Sequence, residues 1–346
     1  MMKIYNEKFN NALMRIPQKT PPIWFMRQAG RYHSHYQILK KKHSFEELCK
    51  NPTLAAETAL GPIKDFDFDV AILFSDILFP LEALGMSLKY DPGPIFKKYI
   101  DESNIDELAS PEDAIKKMVF QKEALLATRD ILPNNKSLIG FVGGPWTVLS
   151  YGLGLNKGVT YTKNFSNDFV RKILMKKIIP LIKYNISLQI DSGAEIVMIF
   201  DTDAKSINNL KDYRSYSELI YKELIQNFPK KIGYYSKYPF ENSFFVEKLN
   251  EKDSFLAGLG VDHHESMNKW FSKIKSGFIQ GNFNQESLAK DFDNFRKDFD
   301  SYINQLVDIN EVDRVGWVCG LGHGILKNTP EENVRYFIEN IRKVFS

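Results

Sequence analysis

Residues 195–203 read Glu-Ile-Val-Met-Ile-Phe-Asp-Thr-Asp, and this stretch decides the fold class of the chain. Its centre, residues 196–200, is an unbroken apolar run, and the run ends in three polar residues. Apolar runs of four to eight residues without alternation are typical of strands buried on both faces, as in parallel sheets. We therefore expect a buried strand whose carboxyl end carries Asp201, Thr202 and Asp203.

Seven further runs of this kind recur along the chain, at residues 23–26, 70–74, 137–142, 231–235, 255–259, 277–280 and 315–319. Amphipathic segments of helical length lie between them, at residues 112–130, 168–190, 210–228, 267–275, 285–307 and 330–345. This alternation indicates an α/β protein with parallel strands, and eight repeats favour a closed (β/α)8 TIM barrel. A doubly wound open sheet is the alternative, but the sequence has no obvious switch-point glycine fingerprint.

The chain shows no sign of a domain boundary. It has 346 residues and contains no Ser/Gly linker, low-complexity tract or block of like charges. The intervals between the first runs are longer than the later ones, so we expect extra helices there, one of them within residues 45–64. We expect residues 1–346 to form a single domain.

Composition excludes several classes of protein. Lys and Arg total 46 against 43 Asp and Glu, and 43% of residues are hydrophobic. A disordered chain would be poorer in apolar residues, and a dedicated nucleic-acid binder would be more basic. No apolar run approaches the 18 residues of a membrane span, and the N-terminus lacks the apolar core of a signal peptide. Two cysteines, Cys49 and Cys319, cannot form a disulfide framework, so we expect a cytoplasmic protein that binds neither nucleic acid nor membrane.

The candidate site residues follow the predicted strands. Active sites of (β/α)8 barrels lie at the carboxyl ends of the strands. The residues found there include Arg27, Arg31, Ser75, Asp76, Tyr151, Asp201, Thr202, Asp203, Lys237, Asp262, His263, His264, Asn282 and His323. These side chains would face one mouth, and their guanidinium and ammonium groups indicate a polyanionic ligand.

Most of these residues also have a purely structural interpretation. Asp76 could cap a helix through its side-chain oxygen. Arg27 and Arg31 repel each other unless an anion lies between them, which favours carboxylate or phosphate binding. Asp201 and Asp203 could form an acid–base pair or simply occupy a turn.

The histidines also have structural interpretations. His323 could lie in an exposed loop, and at most one of His263 and His264 can face the site. We expect His33 and His35 at the surface.

The sequence lacks the motifs of several familiar kinds of catalytic site. The sequence contains no His-Glu-x-x-His, Cys-x-x-Cys or His-x-Cys, so a catalytic zinc centre has weak support. A P-loop and a Gly-x-Ser-x-Gly elbow are also missing. We therefore expect no metal.

Four motifs resemble those of the uroporphyrinogen decarboxylase family. They are PIWFMRQAGRY at residues 22–32, AILFSDIL at 71–78, GFVGGPWTVLSY at 140–151, and LGHGI at 321–325 followed by TPE at 329–331. They occur in the family's order and span almost the whole chain. The resemblance implies a (β/α)8 barrel, which agrees with the count of apolar runs.

The resemblance also implies an activity. This is decarboxylation of the four acetate side chains of uroporphyrinogen III to methyl groups, giving coproporphyrinogen III in haem biosynthesis, with no cofactor and by a homodimer. Asp76 and Arg27 would be catalytic, Asp76 accepting hydrogen bonds from the pyrrole N–H groups and Arg27 as the proposed proton donor. The substrate-binding residues would be Arg27, Arg31, Asp76, Tyr151, Thr202 and His323.

This chain departs from the family pattern at three loop positions. Gly320 stands where the family usually has Asn, His263 where it has Trp, and Asn284 where it has Asp. Two other functions stay open. One is a corrinoid- or zinc-dependent methyltransferase of the same superfamily, in which Cys319 and His323 would belong to a zinc site. The other is a non-catalytic tetrapyrrole-binding protein.

Overall fold

The computed structural model describes residues 4–155, 167–207, 209–237 and 243–346. Its strands are β1 Val70–Ile72, β2 Leu88–Tyr90, β3 Pro94–Phe96, β4 Ser137–Gly143, β5 Val197–Asp201, β6 Ile232–Ser236, β7 Leu256–Gly260, β8 Phe278–Phe283 and β9 Trp317–Leu321. Its helices are α1 Glu7–Met14, α2 Ser34–Lys42, α3 Phe45–Lys50, α4 Pro52–Phe66, α5 Phe79–Ala83, α6 Pro111–Lys116, α7 Val119–Ile131, α8 Pro145–Gly152, α9 Asp168–Ile173, α10 Ile179–Asp191, α11 Leu210–Ile220, α12 Ser243–Asn250, α13 Met267–Lys273, α14 Gln285–Leu288, α15 Phe292–Asn304 and α16 Glu331–Val344. None of the helices in these ranges is long and apolar enough to cross a membrane.

Seven strands form one parallel sheet in the order β1-β4-β5-β6-β7-β8-β9. The segment around Ile23 lies between its two edge strands. On one side Ile23 forms a parallel bridge with Cys319, with Trp24 N donating to Cys319 O at 3.1 Å. On the other side Asp69 N donates to Ile23 O at 3.0 Å. The eight predicted strand positions are therefore all occupied, and the predicted (β/α)8 barrel is confirmed.

Some predicted elements differ in detail. Residues 112–130 divide into α6 and α7, and residues 285–307 divide into α14 and α15. The second break has a local cause, because Asp291 caps a new helix by accepting a hydrogen bond from Asn294 N at 3.1 Å. The hairpin of β2 and β3 was not predicted, since its two three-residue strands are partly exposed and have no apolar run.

The barrel has an inner and an outer apolar layer. Successive residues of a strand face opposite sides, so Ile196 and Met198 pack in the lumen while Val197 and Ile199 pack against the helices. Phe9 and Ala12 of α1 belong to the inner cluster and contact the lumen from the amino-terminal ends of the strands. The polar residues found after the strands lie at the opposite end, which we call the mouth.

Asp69 anchors the segment that closes the barrel. Its carboxylate is 3% exposed and accepts a hydrogen bond from Ile23 N at 2.9 Å. We expect Asp69→Ala to lower the free energy of unfolding by about 2–3 kcal/mol, because a buried N–H loses its charged acceptor. Urea denaturation measures this. Asp106→Ala is the control, since the Asp106 side chain is 86% exposed and its ion pair with Lys172 contributes little. Equal midpoints for the two variants would contradict the anchoring role.

Candidate active site

The mouth is formed by the segments that follow the strands. Asp76 follows β1, Tyr151 lies in α8 after β4, Thr202 follows β5, and His323 follows β9. Arg27 follows the Ile23 segment. Because all these strands are parallel, their carboxyl ends meet at one end of the barrel. The charge on Arg27 influences the pKa of Asp76, Tyr151 and His323, so these four residues lie together.

Arg27 occupies a strained turn that presents its side chain at the mouth. Its φ of 63° lies in the left-handed region, which non-glycine residues seldom adopt. The turn is held by Gln28, which is fully buried and donates from Nε2 to Val70 O at 2.9 Å. The Arg27 side chain lies over Gly324, where a Cβ would come within 2.6 Å of Arg27 Cδ. No carboxylate of the described residues pairs with the exposed Arg27 guanidinium.

Asp76 both caps a turn and faces the mouth. Its Oδ1 accepts a hydrogen bond from Leu78 N at 2.8 Å and closes a turn, but the N-cap of α5 is Leu78, so the interpretation of Asp76 as a helix cap is wrong. Burial raises the pKa of Asp76, while the Leu78 N–H and the Arg27 charge oppose that rise. Tyr90 of the hairpin adjoins this carboxylate, and burial and the Asp76 charge raise the pKa of Tyr90. Sequence reasoning missed Tyr90, because no pattern connects the hairpin with β1.

Tyr151 is half-buried beside two acidic groups. Burial raises the pKa of Tyr151 most, followed by the charges of Asp203 and Asp76, with Arg27 opposing them. The phenol is therefore protonated at neutral pH and can donate a hydrogen bond to an anion. Asp203 thus faces the mouth on the Tyr151 side.

His323 is a neutral imidazole among cations. Burial and the charges of Lys237 and Arg27 lower the pKa of His323 to about 3. Its ring lies 6.1 Å from that of Tyr235, whose hydroxyl donates to Gly322 O at 2.8 Å. The glycine-flanked loop is thus held against β6, and His323 presents hydrogen-bonding nitrogens to the mouth without a charge of its own.

Thr202 and Arg31 are the two remaining substrate-binding residues predicted from the sequence. Thr202 is half-buried and begins the turn that follows β5. Arg31 is exposed, and its charge lowers the pKa of Tyr36, which burial otherwise raises. The structure therefore joins Arg27, Asp76, Tyr151 and His323 electrostatically, whereas Arg31 acts on Tyr36 instead.

Asp201 is a structural residue of the site. It is fully buried, and its Oδ1 accepts hydrogen bonds from Thr147 N at 3.0 Å and Thr147 Oγ1 at 2.7 Å. Its Oδ2 accepts from the hydroxyls of Tyr216 and Tyr234. Thr147 Oγ1 in turn accepts from Asp203 N at 3.0 Å. The turn interpretation is therefore correct for Asp201, which ties α8 to the Thr202 turn and is saturated with donors.

Gly320 and the two other departures from the family pattern have different environments. A Cβ at Gly320 would lie 2.4 Å from Trp24 O and from Gln280 Nε2, so no larger residue fits there. His263 and Asn284 instead line a polar cavity of about 470 Å³ beside β8 and α15, together with Lys290 and Tyr302.

The expected surface position of His33 is wrong. Its side chain is fully buried, and Nε2 lies 2.7 Å from Asp65 Oδ2. The apolar faces of Tyr32 and Phe66 pack around the ring, while Asp65 satisfies one nitrogen.

Cys319 does not face the mouth. It is fully buried in β9 and packs with the outer apolar layer. Within residues 4–155, 167–207, 209–237 and 243–346, no group of three or more His, Cys, Asp or Glu residues is arranged to hold a metal ion.

We expect Asp201→Ala to lower the free energy of unfolding by about 3 kcal/mol, since four donors lose a buried charged acceptor. Asp203→Ala is the matched control on the same turn, because only its backbone N–H bonds Thr147. Urea denaturation of both variants tests this. An equal loss of stability in the two variants would refute the anchoring role of Asp201.

We expect the His323 ring to stay unprotonated in the folded protein between pH 8 and pH 5. The unfolded chain, with a pKa near 6.5, then binds more protons than the folded chain between about pH 3 and 6.5. The contribution of His323 to stability is therefore lost as pH falls below 6.5. Ring-labelled NMR titration measures the pKa directly, with His323→Asn identifying the resonance. A midpoint near 6.5 would contradict the neutral imidazole.

Comparisons with known proteins agree with these features. A family model described as uroporphyrinogen decarboxylase (URO-D) matches residues 5–344. Among curated proteins, the chain is 34% identical to a uroporphyrinogen decarboxylase of Orientia tsutsugamushi, over 94% of this chain and 95% of that protein. It is 30% identical to one of Francisella philomiragia, over 99% of each.

Among solved structures, a methyltransferase from Methanosarcina mazei superposes with a TM-score of 0.76 over 99% of both chains, at 16% identity. At that identity the likeness concerns the fold alone. The family model and the curated relatives cover nearly the whole chain, and the chain therefore belongs to the uroporphyrinogen decarboxylase family.

Proposed function

We propose that this protein decarboxylates the four acetate side chains of uroporphyrinogen III to methyl groups and releases coproporphyrinogen III. The observation that carries the proposal is the grouping of Asp76, Arg27, Tyr151 and His323 at one barrel mouth. Relatives of equal length carry the name of this enzyme. The group offers one carboxylate for ring nitrogens and several donors for carboxylates.

The chemistry follows from the electronic structure of the substrate. Loss of CO2 leaves an electron pair on the acetate methylene, and this pair needs a sink. A pyrrole protonated at the ring carbon next to the acetate accepts the pair when the C–C bond breaks. A proton then adds to the exocyclic carbon, the ring returns its extra proton, and a methyl group results. The substrate thereby supplies what a cofactor otherwise would, so we propose that none is needed.

Asp76 would stabilise the protonated ring. Its carboxylate already interacts with Leu78 N and the Tyr90 side chain, and the lone pairs that these leave would accept from the pyrrole N–H groups. A carboxylate held at the mouth also balances the positive charge of the protonated pyrrole in the transition state. The exposed guanidinium of Arg27 would bind a carboxylate beside the reacting ring and could relay a proton through a bound water.

The other predicted residues would hold the carboxylates of the substrate. Tyr151 can donate from its protonated phenol, and the neutral ring of His323, which is hydrogen-bonded to the Gly324 backbone, would contact the edge of the substrate without adding charge. Thr202 and Arg31 would bind at the edge, Thr202 through its hydroxyl and Arg31 through a guanidinium.

Anaerobic incubation of the metal-stripped protein with uroporphyrinogen III tests the proposal. The products are resolved by their number of carboxylates, and we expect four successive losses that end at the tetracarboxylate. Unchanged octacarboxylate would refute decarboxylation. Tight binding without CO2 release would favour a non-catalytic binding protein instead.

We also propose that the protein acts as a homodimer in the cytoplasm. The support is family membership and two buried cysteines, Cys49 and Cys319, that are both free. Sedimentation equilibrium at micromolar concentration tests the dimer, and a single monomeric species would refute it.

We expect Asp76→Asn to reduce kcat by about 100-fold or more, because the neutral amide cannot balance a protonated pyrrole. The Asn side-chain oxygen can still accept from Leu78 N, so the turn and the unfolding midpoint should be preserved. Steady-state kinetics and thermal unfolding measure the two effects. The matched control is Asp113→Asn, which changes an exposed acid in the first turn of α6. Near-normal turnover of the Asp76 variant would refute its role.

A further inference from the structure

Lys237 lies at the mouth, after the strand that is opposite the segment leading into Arg27. Tyr235 near the end of β6 packs in the lumen, and Lys237 is the first residue after this strand, at its mouth end. In the ring of eight strand positions, β6 lies four places from the Ile23 segment that leads into Arg27. The two cations therefore face each other across the opening.

Two cations and two carboxylates act on the charge of Lys237. Burial and the charges of Lys205 and Arg27 lower the pKa of Lys237, while the charges of Asp262 and Glu286 raise it. Lys237 is half-buried, and among the described residues it has no ion pair or hydrogen bond. Its charge also reaches His323 and His263. A half-buried ammonium that has no ion pair or hydrogen bond among the described residues is a group that an anionic ligand would stabilise.

We propose that Lys237 binds a carboxylate of the substrate on the side of the ring opposite Arg27. The proposal rests on the proposed function, in which an octacarboxylate macrocycle enters the mouth. Such a ring carries acidic side chains all around its rim, so cations on one side only would leave the far carboxylates unpaired. Lys237, with Lys205 beside it, supplies the missing charge at β6, and the neutral His323 completes the rim between β9 and Arg27.

The lysine at the other end of the same strand provides a matched control. Lys231 precedes β6, is also half-buried, and donates to Glu195 O at 3.3 Å. Burial lowers its pKa as it does that of Lys237. It lies at the end of the barrel away from the mouth, so Lys231→Met removes a comparable charge without touching the proposed site.

The experiment measures binding first and turnover second. Uroporphyrin III, the stable oxidised octacarboxylate, is titrated into each protein and followed by its fluorescence. We expect Lys237→Met to weaken binding about tenfold or more, as one charge-assisted contact is lost, and Lys231→Met to leave it unchanged. Lys237→Arg keeps the charge and should restore most of the affinity. Thermal unfolding of every variant identifies any loss of folded protein.

Steady-state kinetics distinguish a substrate-binding role of Lys237 from a structural one. Lys237→Met should raise KM for uroporphyrinogen III about tenfold while kcat falls much less, and added salt should weaken the wild type more than the variant. Wild-type affinity in Lys237→Met, or an equal loss in Lys231→Met, would overturn the proposal. If the wild type binds uroporphyrin III but releases no CO2, the proposed function fails, and the binding data alone then decide the role of Lys237.

Discussion

The hydrogen bonds on both sides of Ile23 close the barrel, and the mouth depends on that closure. Pro22 O and Cys319 N join the segment to β9, while Ile23 O and Asp69 N join it to the β1 side. Without these contacts the sheet would be an open row of seven strands, with Arg27 separated from Asp76 and His323. The closed ring brings both ends of the row together. It also sets β6 opposite the entry segment, which makes Lys237 and Arg27 face each other.

Charge balance is the second property of the mouth. Asp76 and Asp203 lie near Tyr151, Lys205 and Lys237 lie with Asp262 and Glu286 on another side, and His323 is held neutral near Arg27 and Lys237. Partial burial weakens the solvation of Asp76, Lys237 and His323, so neighbouring charges act on them more strongly than in water. A ligand with a ring of carboxylates would pair with the cations of the mouth, and a cationic transition state would pair with the carboxylate of Asp76.

The buried groups beneath the mouth keep these side chains in place. Asp201 joins β5, β6, α8 and α11 through hydroxyl and amide donors, and Gly144 leaves the space it needs, since a Cβ there would lie 2.1 Å from Asp201 Cγ. Gln28 serves the Arg27 turn in the same way through Val70. Both are polar residues that look like surface or site residues in the sequence, and both act by accepting or donating inside the core.

The sequence by itself determined the strand positions, the barrel and the end at which the site lies, because apolar runs and strand-end polar residues are local features of the chain. It also identified the family through four motifs. Which polar residues have hydrogen-bond partners became clear only in the tertiary structure. Asp201 and His33 are buried with partners, and Asp76 closes a turn at the mouth. Lys237 has no ion pair or hydrogen bond among the described residues. The sequence also did not indicate that Tyr90 of the hairpin lies beside Asp76, or that β6 lies opposite the Ile23 segment. The role of a charged group depends on how deeply it is buried and on its hydrogen-bond partners. Both are supplied by segments that lie far apart in the chain, so local sequence does not reveal them.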